Sequence, residues 1–184
     1  ITLPSATATL ATLGANTFTG NQAITGTLSA TGLISPSQTV GIVGTTTNNS
    51  VQAGSVGEYV ESVVAVVTSG ATSGVALNAT SISLTAGDWD VSGVVIFANA
   101  GATTYQFSKA SISTTTGTLG TSSATTSVTQ AIGFVGDNYT APANPTPVVR
   151  VLISSTTTIY LVGVIGYSGS TFGIGGTIRA RRMR

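Results

Sequence analysis

Five carboxylates and one lysine hold most of the side-chain chemistry open to this chain: Glu58, Glu61, Asp88, Asp90, Asp137 and Lys109. Histidine and cysteine are absent. A Ser/His/Asp triad, a thiolate nucleophile, a disulfide and a typical zinc site are therefore excluded. A glycosidase needs two carboxyl groups facing each other across a sugar. Asp88 and Asp90 are candidates by spacing, since residues two apart share one face of a strand. They flank Trp89 directly after Gly87, which more simply marks a turn entering a strand; a calcium site is a lesser reading. Lys109 stands between Ser108 and Ala110, with no charged neighbour in the sequence to partner it. These residues point to no reaction, no metal and no cofactor.

Binding chemistry is better represented. Arg179, Arg181, Arg182 and Arg184 place four of the six positive charges in the last six residues. A basic tail suits nucleic acid or an anionic glycan, but the net charge of +1 supplies no long-range field. The simpler expectation is a terminal strand, Thr177-Ile178-Arg179-Ala180, whose arginines guard a sheet edge. In a trimer, converging arginines would need acidic partners, and Glu58 and Glu61 are at hand. Tyr105-Gln106 and Asp137-Asn138-Tyr139 fall near expected loops, where Tyr, Asn and Asp suit carbohydrate or protein contact. Gly173-Ile174-Gly175-Gly176 has no following Lys-Ser/Thr and no helix, so it reads as a tight turn rather than a phosphate loop.

The elements that carry these residues are strands. Thr numbers 34 and Ser 22, while charged residues make up only 6% against roughly 25% in ordinary soluble proteins. Thr and Val are branched at Cβ and favour strands over helices. With 23 Gly as punctuation and 41% hydrophobic residues, the chain reads as all-β with a real core. The run Val63-Val64-Ala65-Val66-Val67 is far short of the roughly 20 residues a membrane helix needs. Strand-like runs are expected at about 59–69, 75–85, 89–98, 104–114, 126–135, 147–153, 158–167 and 176–183. Eight strands match a jelly roll. Trp89 and Val91 should face inward. Thr158 to Tyr167 is apolar on both faces, which calls for a second cover such as a neighbouring subunit.

Residues 1–57 contain no charge. Within them Phe18-Thr19-Gly20, Ile24-Thr25-Gly26 and Ala30-Thr31-Gly32 repeat with a six-residue period, and Gly14 stands one period earlier. So short a repeat cannot bury its apolar residue alone and must stack on further copies. A left-handed acyltransferase helix needs many coils and a histidine, and this chain has neither. The better expectation is that identical chains intertwine, with Phe18, Ile24 and Ala30 facing one another and Gly20, Gly26 and Gly32 at the turns. A boundary is expected near Gly57. The first residue is Ile rather than Met, so a longer precursor is expected, and no signal pattern is visible.

The stretch from Leu13 to Gly32 resembles the repeat of tail fibre proteins of tailed bacteriophages, whose fibrous segments wind as parallel trimers. The remainder is similar to trimeric heads of the tumour-necrosis-factor and complement type. Leu84-Thr85-Ala86-Gly87-Asp88-Trp89-Asp90-Val91 resembles their Gly-x-aromatic strand start, and Ile159-Tyr160-Leu161 with Gly169-Ser170-Thr171-Phe172 their last two strands. The arginine-rich end departs from such heads, which finish on an apolar strand.

The resemblance implies a homotrimer: an intertwined β shaft over 1–57 and a jelly-roll β-sandwich head over 58–184. It implies a virion tail fibre tip, assembled in the bacterial cytoplasm, that attaches to a surface glycan or outer-membrane protein and docks on other tail proteins. Tyr105, Gln106, Asp137, Asn138 and Tyr139 are the expected receptor contacts. Neither nucleic-acid binding nor membrane insertion is expected. The alternatives are a capsid decoration or head-fibre protein, or a tip that registers the shaft.

Overall fold

The computed structural model describes residues 23–32, 34, 46–101, 103–121, 126–136, 143–169 and 171–184. Two compact units divide the chain, Ile1–Thr47 and Asn48–Arg184. The division falls earlier than Gly57 because the residues before it are already tied into the second unit. Gly54 N–H donates to Glu58 Oε2 (2.8 Å), and Gly57 N–H donates to the carbonyl of Arg182 (2.9 Å).

The second unit is all-β, with nine strands among its described residues: β1 (Tyr59–Val64), β2 (Leu77–Leu84), β3 (Gly87–Asn99), β4 (Thr103–Ser113), β5 (Thr126–Gly136), β6 (Ala143–Pro145), β7 (Val149–Ile153), β8 (Thr157–Gly169) and β9 (Phe172–Arg182). They form two antiparallel sheets packed as a sandwich. The first sheet runs β1-β9-β3-β6, with β7 pairing further along β3, and the second runs β2-β8-β4-β5. The short β6 and β7 act as one interrupted strand. Asn144 pairs with Val95 and Arg150 with Asp90, and the break between them is held by Thr146, whose N–H reaches Gly93 O and whose hydroxyl accepts from Gly93 N–H. Pro145 and Pro147 in this segment fit an edge position, because proline cannot donate to a ladder.

Side-chain alternation builds the core. Trp89, Val91, Val95 and Phe97 of β3 and Ile174, Ile178 and Ala180 of β9 turn inward against Ile82 and Leu84 of β2, Ala110 and Ile112 of β4, and Ile159, Leu161 and Ile165 of β8. Trp89 and Val91 are fully buried, as their alternation with Asp88 and Asp90 requires.

Three expectations are corrected here. Residues 173–176 are not a turn but the first part of β9. Their glycines let another stretch of backbone lie flat on the sheet: a Cβ at Gly175 would meet backbone atoms of Ala65 and Val66 at about 2.6 Å. β9 is also not an edge strand, since it is hydrogen-bonded between β1 and β3. Its arginines therefore do not guard an edge. Finally, Val162 and Val164 on the outward side of β8 are already buried within one chain, so no neighbour is needed to cover them.

The first unit is described over 23–32 and 34. Its backbone bends at Thr25-Gly26 and again at Thr31-Gly32, one six-residue period apart. Ile24 is exposed at 56%, and Ala30 is exposed too. Phe18 and Gly20 lie outside the described residues.

Candidate functional site

The chain has six basic and five acidic side chains, and all but Lys109 and Asp137 belong to the first sheet or to its lower end, where Arg182 lies. In a sequence so poor in charge this segregation singles out one region. Two layers can be separated by the alternation of β9.

Arg182 points inward. Its Nε donates to Glu58 Oε2 (2.9 Å), Nη1 to Ala86 O (2.8 Å) and Nη2 to Thr85 Oγ1 (2.5 Å). The guanidinium also lies 4.3 Å from the Trp89 ring centroid, and Trp89 Nε1 donates to Thr85 O (3.0 Å). The Glu58 carboxyl is held below its ordinary pKa, first by the Gly54 N–H and further by Arg182, against an opposing push from burial. Beside this knot Asp88 accepts from two arginines: Arg150 in a fork (Nε–Oδ1 2.9 Å, Nη2–Oδ2 2.8 Å) and Arg184 (Nε–Oδ2 2.8 Å). The Arg150 fork lowers the Asp88 pKa most, and burial opposes it. These groups bond one another and knit the start of the sandwich to its C-terminus. Their role is structural.

The outward layer is different. Tyr59 and Glu61 on β1, Arg179 and Arg181 on β9, and Asp90 and Ser92 on β3 stand on the outer face of the first sheet. The ladder pairs Tyr59 with Arg181, Glu61 with Arg179, and Asp90 with both Arg181 and Arg150. Of these, Tyr59, Asp90, Ser92, Arg179 and Arg181 border, with Val148, a shallow groove of about 340 Å³. Tyr59 Oη donates to Glu61 Oε1 (3.0 Å), and burial raises its pKa, helped by that carboxylate. Arg179 reaches Ser92 Oγ at a long 3.4 Å. Among the described residues Glu61, Asp90, Arg179 and Arg181 form no ion pair. That contrasts with Asp88 and Glu58, which are fully engaged.

Of the expected contact residues, Tyr105 does not lie at a loop tip. It sits inside β4, buried, with its hydroxyl 2.6 Å from Ser108 Oγ. A bulge between Tyr105 and Phe107 brings Tyr105 and Ser108 to the same inner side, where Asn144 Nδ2 also donates to Ser108 Oγ (2.5 Å). Gln106, the bulged residue, is exposed. Asp137, Asn138 and Tyr139 lie outside the described residues, between β5, which ends at Gly136, and β6, which begins at Ala143. Those ends, with the β3–β4 and β8–β9 connections, are at the upper end, opposite Arg182. The outer face around Arg179 and Arg181 is not legible in the sequence because it needs the pairing of β1 with β9, far apart in the chain.

Comparison with protein-family models, curated proteins and solved structures finds no match to this chain. Among the described residues no three His, Cys, Asp or Glu side chains group as a metal site, and no helix is long and apolar enough to cross a membrane. Asp88 and Asp90 share the outer face of the first sheet, and Asp88 is bonded by two arginines.

Proposed function

We propose that this chain is the end of a homotrimeric bacteriophage tail fibre that attaches to a bacterial surface by non-catalytic binding. The observation that carries the reading is the strand order. Sheets ordered β1-β9-β3-β6/β7 and β2-β8-β4-β5, in which every connection except β4–β5 and β6–β7 crosses from one sheet to the other, match the strand order of a jelly roll. In this arrangement the first residues of the sandwich and its C-terminus are bonded together at the lower end. The connections at the upper end are left to make contacts, and the expected receptor residues Asp137, Asn138 and Tyr139 fall in sequence between the end of β5 and the start of β6.

Support also comes from the first unit. Bends recur at Thr25-Gly26 and Thr31-Gly32, and Ile24 stands exposed in the single chain. An exposed apolar residue at the same point of the two described hexads, Ile24 and Ala30, suits a partner of equal period, which identical chains supply. Three weak sites on one rigid body would then gain avidity without new contacts.

A second reading is a structural virion protein, a capsid decoration or head fibre, which the same fold would serve. Labelled full-length protein incubated with host bacteria separates the two. The attachment reading expects saturable binding that competes with phage adsorption and is weakened by Tyr139→Ala. Protein that ignores cells yet coats capsids would instead establish the structural role.

A further inference from the structure

We propose that the groove on the outer face of the first sheet binds one acidic sugar unit, a uronic acid, of a surface polysaccharide, with Arg179 and Arg181 taking its carboxylate and Asp90 its hydroxyls. Such binding rests on the attachment reading above and gives it a ligand class.

Hydrogen-bonding capacity left open on this face selects the ligand. Arginine only donates, and an ionised carboxylate only accepts. Among the described residues Arg179, Arg181 and Asp90 form no ion pair, whereas Arg150, across the ladder from Asp90, is committed to Asp88 by a two-bond fork. A ligand that answers both signs must bring an anionic acceptor and hydrogen-bond donors close together. Arg179 and Arg181 emerge from one side of β9 roughly 7 Å apart, and Asp90 pairs with Arg181 one strand away, at about 4.8 Å. A pyranose ring bearing a carboxylate and free hydroxyls spans such a set. A polyphosphate chain would meet Asp90 as repulsion, and a bare carboxylate would bring Asp90 no donor.

The remaining walls suit a sugar as well. Tyr59 is 48% exposed and offers flat apolar area. Its hydroxyl donates to Glu61 (3.0 Å), so the ring is already held and little freedom is lost on binding. Ser92 supplies a hydroxyl that both donates and accepts, and the exposed Val148 an apolar rim. Pyranoses present C–H faces as well as hydroxyls, and this lining meets both. The groove is clear of residues 65–69, which lie over Gly173 and Gly175 farther up β9. Its volume of about 340 Å³ is at the small end of the roughly 300–1,000 Å³ of ligand sites, which fits one unit of a longer chain.

Methyl glucuronide and methyl glucoside differ in the carboxylate alone, and acetate carries a carboxylate without hydroxyls. Each is titrated into the isotope-labelled full-length protein and followed by amide chemical shifts. The glucuronide should move the resonances of Tyr59, Asp90 and Arg181 saturably and bind roughly tenfold or more tightly than either the glucoside or acetate. Arg179→Gln with Arg181→Gln should erase its advantage over the glucoside. Asp90→Asn should cut its advantage over acetate several-fold, because the hydroxyls lose a charged acceptor. Lys109→Gln, on the second sheet, should alter neither preference. These positions are exposed or half-exposed, so an unchanged amide spectrum away from the groove verifies folding in each variant. Acetate bound as tightly as the glucuronide would reduce the groove to a simple anion site and overturn the proposal. Equal binding of the glucoside, or shifts confined to other residues, would overturn it too. A glucuronide that does not bind, with labelled protein still saturating on host bacteria, overturns the groove and leaves attachment standing. Protein that binds neither overturns both.

Discussion

Arg182 decides how the lower end of the sandwich is built. An arginine buried to this degree needs every donor answered, and it receives the Glu58 carboxylate, the Ala86 carbonyl, the Thr85 hydroxyl and the Trp89 ring. Gly87 makes room for it: its φ is +153°, and a Cβ there would collide with the Arg182 guanidinium. Gly87→Ala should therefore destabilise the protein by about 1–3 kcal/mol through backbone strain and loss of this packing, read as a lowered urea midpoint with an unchanged slope. A similar midpoint in the two proteins would mean that the guanidinium moves aside at little cost. The aromatic after Gly87 was legible in the sequence as a strand start. That a residue almost a hundred positions later would stack on it was not, because nothing local distinguishes an inward arginine from an outward one except the register of β9.

At the scale of elements, most strands could be placed from alternation and turn residues. β2, β4, β5 and β8 fall within a few residues of the expected runs. Where the reading failed, glycine was the cause. The run 173–176 has the composition of a turn, yet it forms strand, because the segment after β1 lies across it and needs the absence of side chains. Gly175→Ala should lift that segment and cost about 1–3 kcal/mol as an overpacked contact. Hydrogen exchange should quicken at Ala71, whose N–H donates to Phe172 O at 2.9 Å. Exchange unchanged there would show that residues 65–69 are not held by this contact. Tyr105 failed for a different reason. Its position beside Gln106 suggested a loop, but the bulge turns its ring inward to Ser108, and a bulge has no reliable sequence mark.

At the scale of the whole molecule, acid is the sensitive variable. The chain contains no histidine, so no side chain of ordinary pKa titrates between about pH 5 and 8, and stability should be flat there. Glu58 and Asp88 are both depressed in the folded state. A depressed carboxyl stabilises in full above its unfolded pKa, and the contribution is lost as pH falls through the lower folded value. The urea midpoint should accordingly hold down to about pH 5 and decline below about pH 4. Glu58→Gln should show a lower midpoint at neutral pH and a shallower acid decline. An equally steep decline in that variant would assign the acid response to Asp88 and the other carboxylates.

The sequence by itself determined that the chain is all-β, that Trp89 and Val91 point inward, and that histidine and thiol chemistry are absent, because composition and the two-residue period are local properties. It also carried the six-residue repeat, whose bends recur at Gly26 and Gly32. Only the tertiary structure decided what the charges do. Glu61 comes to lie across the ladder from Arg179, and Asp88 is bonded by Arg150, through pairing of strands distant in the chain. A shift of one residue in β9 would send Arg179 and Arg181 into the core and Arg182 out of it. Register, fixed by the whole core at once, separates the arginine that holds this fold together from the two that face outward.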